Sequence, residues 1–237
     1  MRITGLRHAL PTDPLPPLVL SLTVTSGMLD AVSFFSLDQV FVGMMTGNII
    51  VFGFALGGAP HFTEPAPLLA IAGFTTGIAA TGVALRYTLT PALPWLRCAL
   101  TAEAFLLLAS AGISSLTQVH CNAIIVLLSV AMGLHCAAIR HLAVPELRTT
   151  FAVTGALLSL LHDTCSGAPP HAARRLGVIG ATAAGAAIGT VALTYLGRTG
   201  ALLAAAVIVA GAATVTHRLA APLPSSGSSS SPSSPHR

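Results

Sequence analysis

A chain of 237 residues that is 54% hydrophobic and only 8% charged, with a mean hydropathy of +0.82, has too little polar surface to coat a soluble globule of its size. Its net charge of +4 does not point to nucleic acid, because the 11 basic residues are all arginines, scattered along the chain without interleaved aromatics. Composition therefore specifies an all-α, polytopic membrane helix bundle, with no room for a separate soluble domain.

Residues 1–17, with Arg2 and Arg7, form an N-terminal segment. The first apolar run, Leu18 to Leu37, has full spanning length and no small-residue cleavage site behind it, so it reads as a retained signal anchor. It carries Asp30 in "GMLDAVSFF", near the middle of the span. A carboxylate there costs about 2.5 to 3.5 kcal/mol on insertion, and Asp30 is either a proton or cation site or a core carboxyl kept protonated or hydrogen-bonded.

The second run, Val40 to Leu56, is short and holds Thr46-Gly47-Asn48 beside Met44 and Met45. Glycine lets backbone leave helical geometry, and a helix restarting beyond it would present open N–H groups and positive dipole. Thr46 and Asn48 then either satisfy the break or contact a solute. The methionines, with no Met-x-x-Met series, fill core space rather than bind copper.

Leu68 to Leu85 follows, with Gly73-x-x-x-Gly77, and then Cys98 to Leu116 with Glu103, which lines a pathway or snorkels toward the Arg97 end. Beyond Cys121 to Ile139 comes a second short run, Thr149 to Leu161. Here Thr149, Thr150 and Thr154-Gly155 form the counterpart of the first break. Arg140, Glu146 and Arg148 surround it as a gating or interfacial charge cluster. The last runs are Leu176 to Leu196, with Gly185-x-x-x-Gly189, and Ala201 to Thr216. Residues 220–237 are Ser/Pro low complexity and are expected to be a disordered tail.

Arginine placement selects the topology, because cytoplasmic loops hold the excess. If all eight runs cross, six arginines lie inside and five outside, nearly without bias. If each short run pairs with the run before it as one net crossing, eight lie inside and only Arg198 lies outside, with Arg140 and Arg148 at the break. Six net crossings with both termini cytoplasmic follow, in an integral membrane domain over 18–219.

The halves, about 18–116 and 121–219, contain a weak repeat. "GMLDAVSFFSLDQVFVGMMTGN" from Gly27 and "GLHCAAIRHLAVPELRTTFAVTGA" from Gly133 share a glycine, an alanine four residues on, a polar break and Thr-Gly, the second copy being two residues longer. Three net crossings per half make the repeats inverted. The competing explanation is chance recurrence of Thr-Gly in a Gly- and Ala-rich chain.

These residues, with "VFVGMMTGN", "GFALGG" and "AMGLHCAAIRHLAVPELRTTFAVTGALLSLLHDT", resemble the YoaK-like family of bacterial membrane proteins, a domain of unknown function. The resemblance runs from about Leu18 to about Leu219, and it implies about six helices and no assigned activity. This chain departs from the family's pattern at His135-Cys136, where Gln-Asn is usual, and at Asp38, where glycine is common. Cys136 cannot supply the hydrogen bonds of an amide, which weakens any shared ligand role in the second half.

Catalysis has no foothold: Gly-x-Ser-x-Gly, His-Glu-x-x-His, Walker and dinucleotide patterns are all missing, so neither an enzyme nor a cofactor is expected. His135, His141 and His162-Asp163 with Cys165 lack metal-site spacing, and no metal is expected. The cysteines Cys98, Cys121, Cys136 and Cys165 read as buried thiols rather than a disulfide framework. The expectation is a bacterial inner-membrane carrier or channel for a small polar solute or ion. Its candidate pathway is Asp30, Thr46, Gly47, Asn48, Glu103, Thr150, Thr154 and Gly155, with a proton or cation at Asp30. Its partners are the lipid bilayer and, as one use of the Gly-x-x-x-Gly faces, a second copy of the chain. The alternative is a non-transporting membrane scaffold or partner-binding subunit.

Overall fold

The computed structural model describes residues 15–88, 91–116, 121–142, 153–165 and 172–220, and all regular structure among them is helical. Among the described residues five helices are long and apolar enough to cross a membrane: α1 (Leu15–Ser36), α3 (Pro65–Tyr87), α4 (Ala92–Leu116), α5 (Cys121–His141) and α7 (Ala172–Ala220). Two shorter apolar helices, α2 (Met45–Leu56) and α6 (Val153–Cys165), follow α1 and α5. Prolines open α1 and α3, where the missing amide has no partner to lose. The apolar part of α7, Arg175–His217, is 43 residues long, about twice the ~20 that one crossing needs. It is interrupted at Gly197, whose φ of 68° and ψ of 179° lie outside helical space and require glycine, so α7 consists of two arms.

Side chains follow the logic of a lipid solvent. Phe105, Leu108, Val191 and Val207 face outward, while hydroxyls inside α1 are satisfied locally: Thr23 donates to Val19 O at 2.8 Å and Ser36 to Val32 O at 2.6 Å.

Association rests on small residues that let backbones touch. Gly27 of α1 lies against the Thr182 carbonyl of the first arm of α7, Gly185 against Val24 and Gly189 against Met28. Gly133 of α5 lies against the Phe74 carbonyl of α3, and Gly77 against Val130 and Leu134. Gly73 lies against Val126 and Gly77 against Val130 and Leu134, just as Gly185 meets Val24 and Gly189 meets Met28, so both pairs of helices run parallel. The contacts correspond one to one: Gly27 with Gly133, Val24 with Val130, Thr182 with Phe74 and Gly185 with Gly77. Ala substituted at Gly27 or Gly133 would drive a Cβ into a carbonyl, whereas Gly82 faces open space. Thermal unfolding in detergent should show both Gly27→Ala and Gly133→Ala destabilised by about 1–3 kcal/mol, with Gly82→Ala unchanged or more stable; equal effects at all three would remove close approach as the cause.

The first break is displaced from its sequence position. α1 ends at Ser36, a turn follows with Asp38 (φ 53°) and Gln39 (φ 57°) in left-handed geometry, and residues 40–44 are non-helical. Glycine is the residue that suits the Asp38 conformation best. Thr46-Gly47-Asn48 is thus not the interruption but the first turn of α2, and Gly47 is helical. Its lack of a side chain serves packing, since a Cβ there would lie 2.8 Å from Cδ2 of the Phe41 ring. The short run expected from Thr149 begins as a described helix at Val153. Residues 1–14, Thr149, Thr150, Glu146, Arg148 and the tail beyond Ala220 lie outside the described residues.

Candidate functional site

Between α1 and the 40–44 link, Asn48 and Asp30 bind main chain. Asn48 is fully buried: Phe41 N–H donates to its Oδ1 at 2.8 Å, its Nδ2 donates to the Phe41 carbonyl, and Met45 Sδ lies 3.7 Å from that nitrogen. One side-chain amide so satisfies both main-chain polar groups of Phe41. Thr46 is exposed and Met44, at the helix start, forms no side-chain cap, so Thr46 and Asn48 do not converge on a common ligand position.

Asp30 is half-buried, and Gly43 N–H donates to its Oδ1 at 2.8 Å, with the amides of Val42 and Met44 also directed at the carboxylate. Three successive amides form a nest for an anion, and here the anion is the protein's own side chain. The position a Cβ on Gly43 would occupy is 3.2 Å from Ser26 Oγ, 3.3 Å from Asp30 Oδ2 and 3.2 Å from Met132 Cε. The link therefore folds back to where α1 faces α5, and a side chain at Gly43 would press on all three neighbours.

The second polar centre joins α4 to α5. Glu103 and His135 are both fully buried, and a hydrogen bond of 2.7 Å links His135 Nδ1 with Glu103 Oε2. Glu103 does not snorkel. Its other oxygen, Oε1, and the Ser129 hydroxyl are buried without a hydrogen-bond partner among the described residues, and such an atom costs about 1–3 kcal/mol or more when charged. The sequence offers no link between His135 and Glu103 beyond a lone carboxylate in one span and a lone imidazole in the next.

Cys136 adjoins this pair and lies within electrostatic reach of both Glu103 and Asp30. It also lines a cavity of about 520 Å³ between α3 and α5, bordered by Ile78, Thr81, Leu85, Ala137 and Arg140. The structure thus brings Asp30 and Glu103 toward one region. Thr154 is exposed and Gly155 half-buried on α6; Thr150, and the Glu146 and Arg148 that would complete a cluster with Arg140, are not described. Among the described residues no group of three or more His, Cys, Asp or Glu side chains is arranged to hold a metal.

At the opposite end, Arg198 follows Gly197. Its Nε donates to Ser114 Oγ at 2.9 Å and its Nη1 to Ser36 O at 3.2 Å, with Cys121 Sγ at 3.7 Å. One guanidinium so ties together the C-terminal ends of α1 and α4, the start of α5 and the middle of α7.

A family model described as "Protein of unknown function (DUF1275)" matches residues 18–215. Over 148 residues the chain is 34% identical to the UPF0700 transmembrane protein YoaK of Bacillus subtilis (strain 168), a match covering 60% of this chain and 64% of that protein. The chain spans 64% of the length of this curated relative. No solved structure matches.

Proposed function

The chain belongs to the DUF1275 family of multi-pass transmembrane proteins, and we propose that it is a carrier for a small polar solute, with protonation of the buried Glu103–His135 pair as its coupling step. The observation that carries this reading is the second Glu103 oxygen, fully buried without a partner among the described residues, while Cys136, the neighbour of His135 in sequence, lines a cavity. An ionisable group left open inside a membrane domain is expensive, and the common use of such a group is to take up a proton or cation during transport. Catalysis and a resident cofactor have no part in the proposal.

The proposed architecture is six net crossings in two inverted halves. Arg198 gathers the ends of α1 and α4 with the start of α5 on one face, and α3 runs parallel to α5. The chain then leaves α1 and enters α3 on that same face, so the link and α2 dip inward and return. The matched contacts of Gly27 and Gly133 support the repeat, and the arginine distribution supports cytoplasmic termini in a bacterial inner membrane.

In proteoliposomes with an imposed pH gradient, Glu103→Gln should abolish gradient-driven accumulation while leaving solute exchange measurable. Asp30→Asn is the companion test: as a proton or cation site it would lose coupling in a folded protein, whereas as the occupant of an amide nest it would lose folding first. Unchanged accumulation by a folded Glu103→Gln protein would remove the pair from the mechanism.

A second reading, a non-transporting scaffold or partner-binding subunit, draws on Asn48 and Asp30, whose hydrogen bonds go to the chain's own link. It predicts that no solute drives uptake or stabilises the purified protein.

A further inference from the structure

We propose that the cavity between α3 and α5 binds an amphipathic monoanion, a carboxylate or phosphate head on an apolar body, and that this is the substrate class of the carrier. The inference rests on the carrier reading for its physiological meaning, though not for its chemistry.

The cavity, about 520 Å³, falls in the range of small-molecule sites. Its walls are largely apolar: Ile78 and Leu85 on α3, Ala137 and Ile139 on α5. Gly82 adds room, since nothing lies within 4 Å of where its side chain would begin. Thr81, Arg140, His141 and the Cys136 thiol break this apolar lining, and two of them, Thr81 and Arg140, have no hydrogen-bond or ionic partner among the described residues. Thr81 is 2% exposed and its hydroxyl has no hydrogen bond, whereas Thr75, Thr76 and Thr88 on or beside the same helix all donate to the carbonyl four residues earlier. A buried hydroxyl that forgoes that local bond is left available for a guest.

The second group is Arg140, which lines the cavity beside His141 in the last turn of α5. A basic residue there also offsets the negative end of the helix dipole. That role leaves its hydrogen-bonding capacity unspent: Arg140 donates to no carbonyl and pairs with no carboxylate among the described residues. A guanidinium at one end, a free hydroxyl within and apolar walls between match a singly charged head with a short hydrocarbon body. A fully hydrophilic ion would waste the walls, and a neutral alkane would leave both polar groups unmet.

The head-and-tail chemistry has two sources, a free organic acid and an anionic phospholipid, which are separable by experiment. The full chain is reconstituted in phosphatidylcholine nanodiscs, and its thermal unfolding and the alkylation rate of Cys136 are followed by peptide mass spectrometry with octanoate, octanol or acetate. Octanoate is expected to raise the unfolding temperature by several degrees and to slow alkylation of Cys136 several-fold, while Cys98 and Cys165, which are exposed and not buried as their sequence setting suggests, react as before. Octanol and acetate should each do much less. Arg140→Gln should abolish the octanoate effect. Thr81→Val should reduce it while unfolding at the same or a higher temperature without ligand, an outcome that merely damaged folding would not give.

Protection by phosphatidylglycerol discs that octanoate cannot increase would assign the same site to lipid. Equal effects of octanoate and octanol, or a full octanoate effect in Arg140→Gln, would overturn the proposal. Because binding is read without uptake, octanoate binding with no transport would remove the carrier and keep the site; uptake indifferent to Arg140→Gln and Thr81→Val would do the reverse.

Discussion

Asn48→Leu is expected to destabilise the protein by about 2–6 kcal/mol, enough to prevent its recovery in folded form from a detergent extract. The substitution keeps the number and branching of side-chain heavy atoms and adds apolar surface, so a simple hydrophobic account would predict a neutral or favourable change. The hydrogen bonds decide otherwise. Phe41 N–H and C=O both bond to the Asn48 side chain in a fully buried setting, and removing the amide orphans both groups at about 1–3 kcal/mol each. Asn48→Asp, nearly isosteric, should fare little better, because a carboxylate still accepts from the Phe41 amide but is set against the Phe41 carbonyl. Thr46→Val, two residues away and exposed, should be within about 0.5 kcal/mol of the parent. Thermal unfolding of the four proteins in one detergent checks this, and an Asn48→Leu protein as stable as Thr46→Val would mean that the link is not held by this clamp.

The clamp explains why the break was legible in the sequence but its position was not. Glycine after threonine in an apolar run reads as the place where a helix fails, because glycine's usual role is conformational. Here Gly47 makes space for the Phe41 ring, a contact between residues on either side of a turn that no periodicity reveals. In this stretch the residues with left-handed backbone are Asp38 and Gln39, and the polar break noted in the sequence there is the better marker. Gly27 and Gly133 stand out in the sequence because a small residue at a helix crossing is a local requirement. Their partners, Thr182 and Phe74, emerge only when the helices are assembled. Glu103 shows the same limit: near an arginine it reads as a snorkelling side chain, and only a histidine one helix away, at 2.7 Å, turns it inward.

The Glu103–His135 pair provides the sharpest separation of stability from function. Either residue replaced singly by an apolar one, Glu103→Met or His135→Leu, should cost about 3–5 kcal/mol, since a buried polar group is left without its main partner. The double variant should recover most of that loss and approach or exceed the parent, because buried ion pairs replaced by packed hydrophobic groups are commonly neutral or stabilising by about 1–4 kcal/mol. Both side chains are fully buried between α4 and α5, so solvent cannot blunt the effect. Unfolding of the four proteins closes a double-mutant cycle, in which the coupling should be large and favourable to the pair. If the double variant is stable yet proteoliposomes containing it accumulate nothing under a pH gradient, the pair serves transport rather than architecture. If it is as unstable as the single variants, the pair is structural cement, and the scaffold reading gains the ground that the carrier loses.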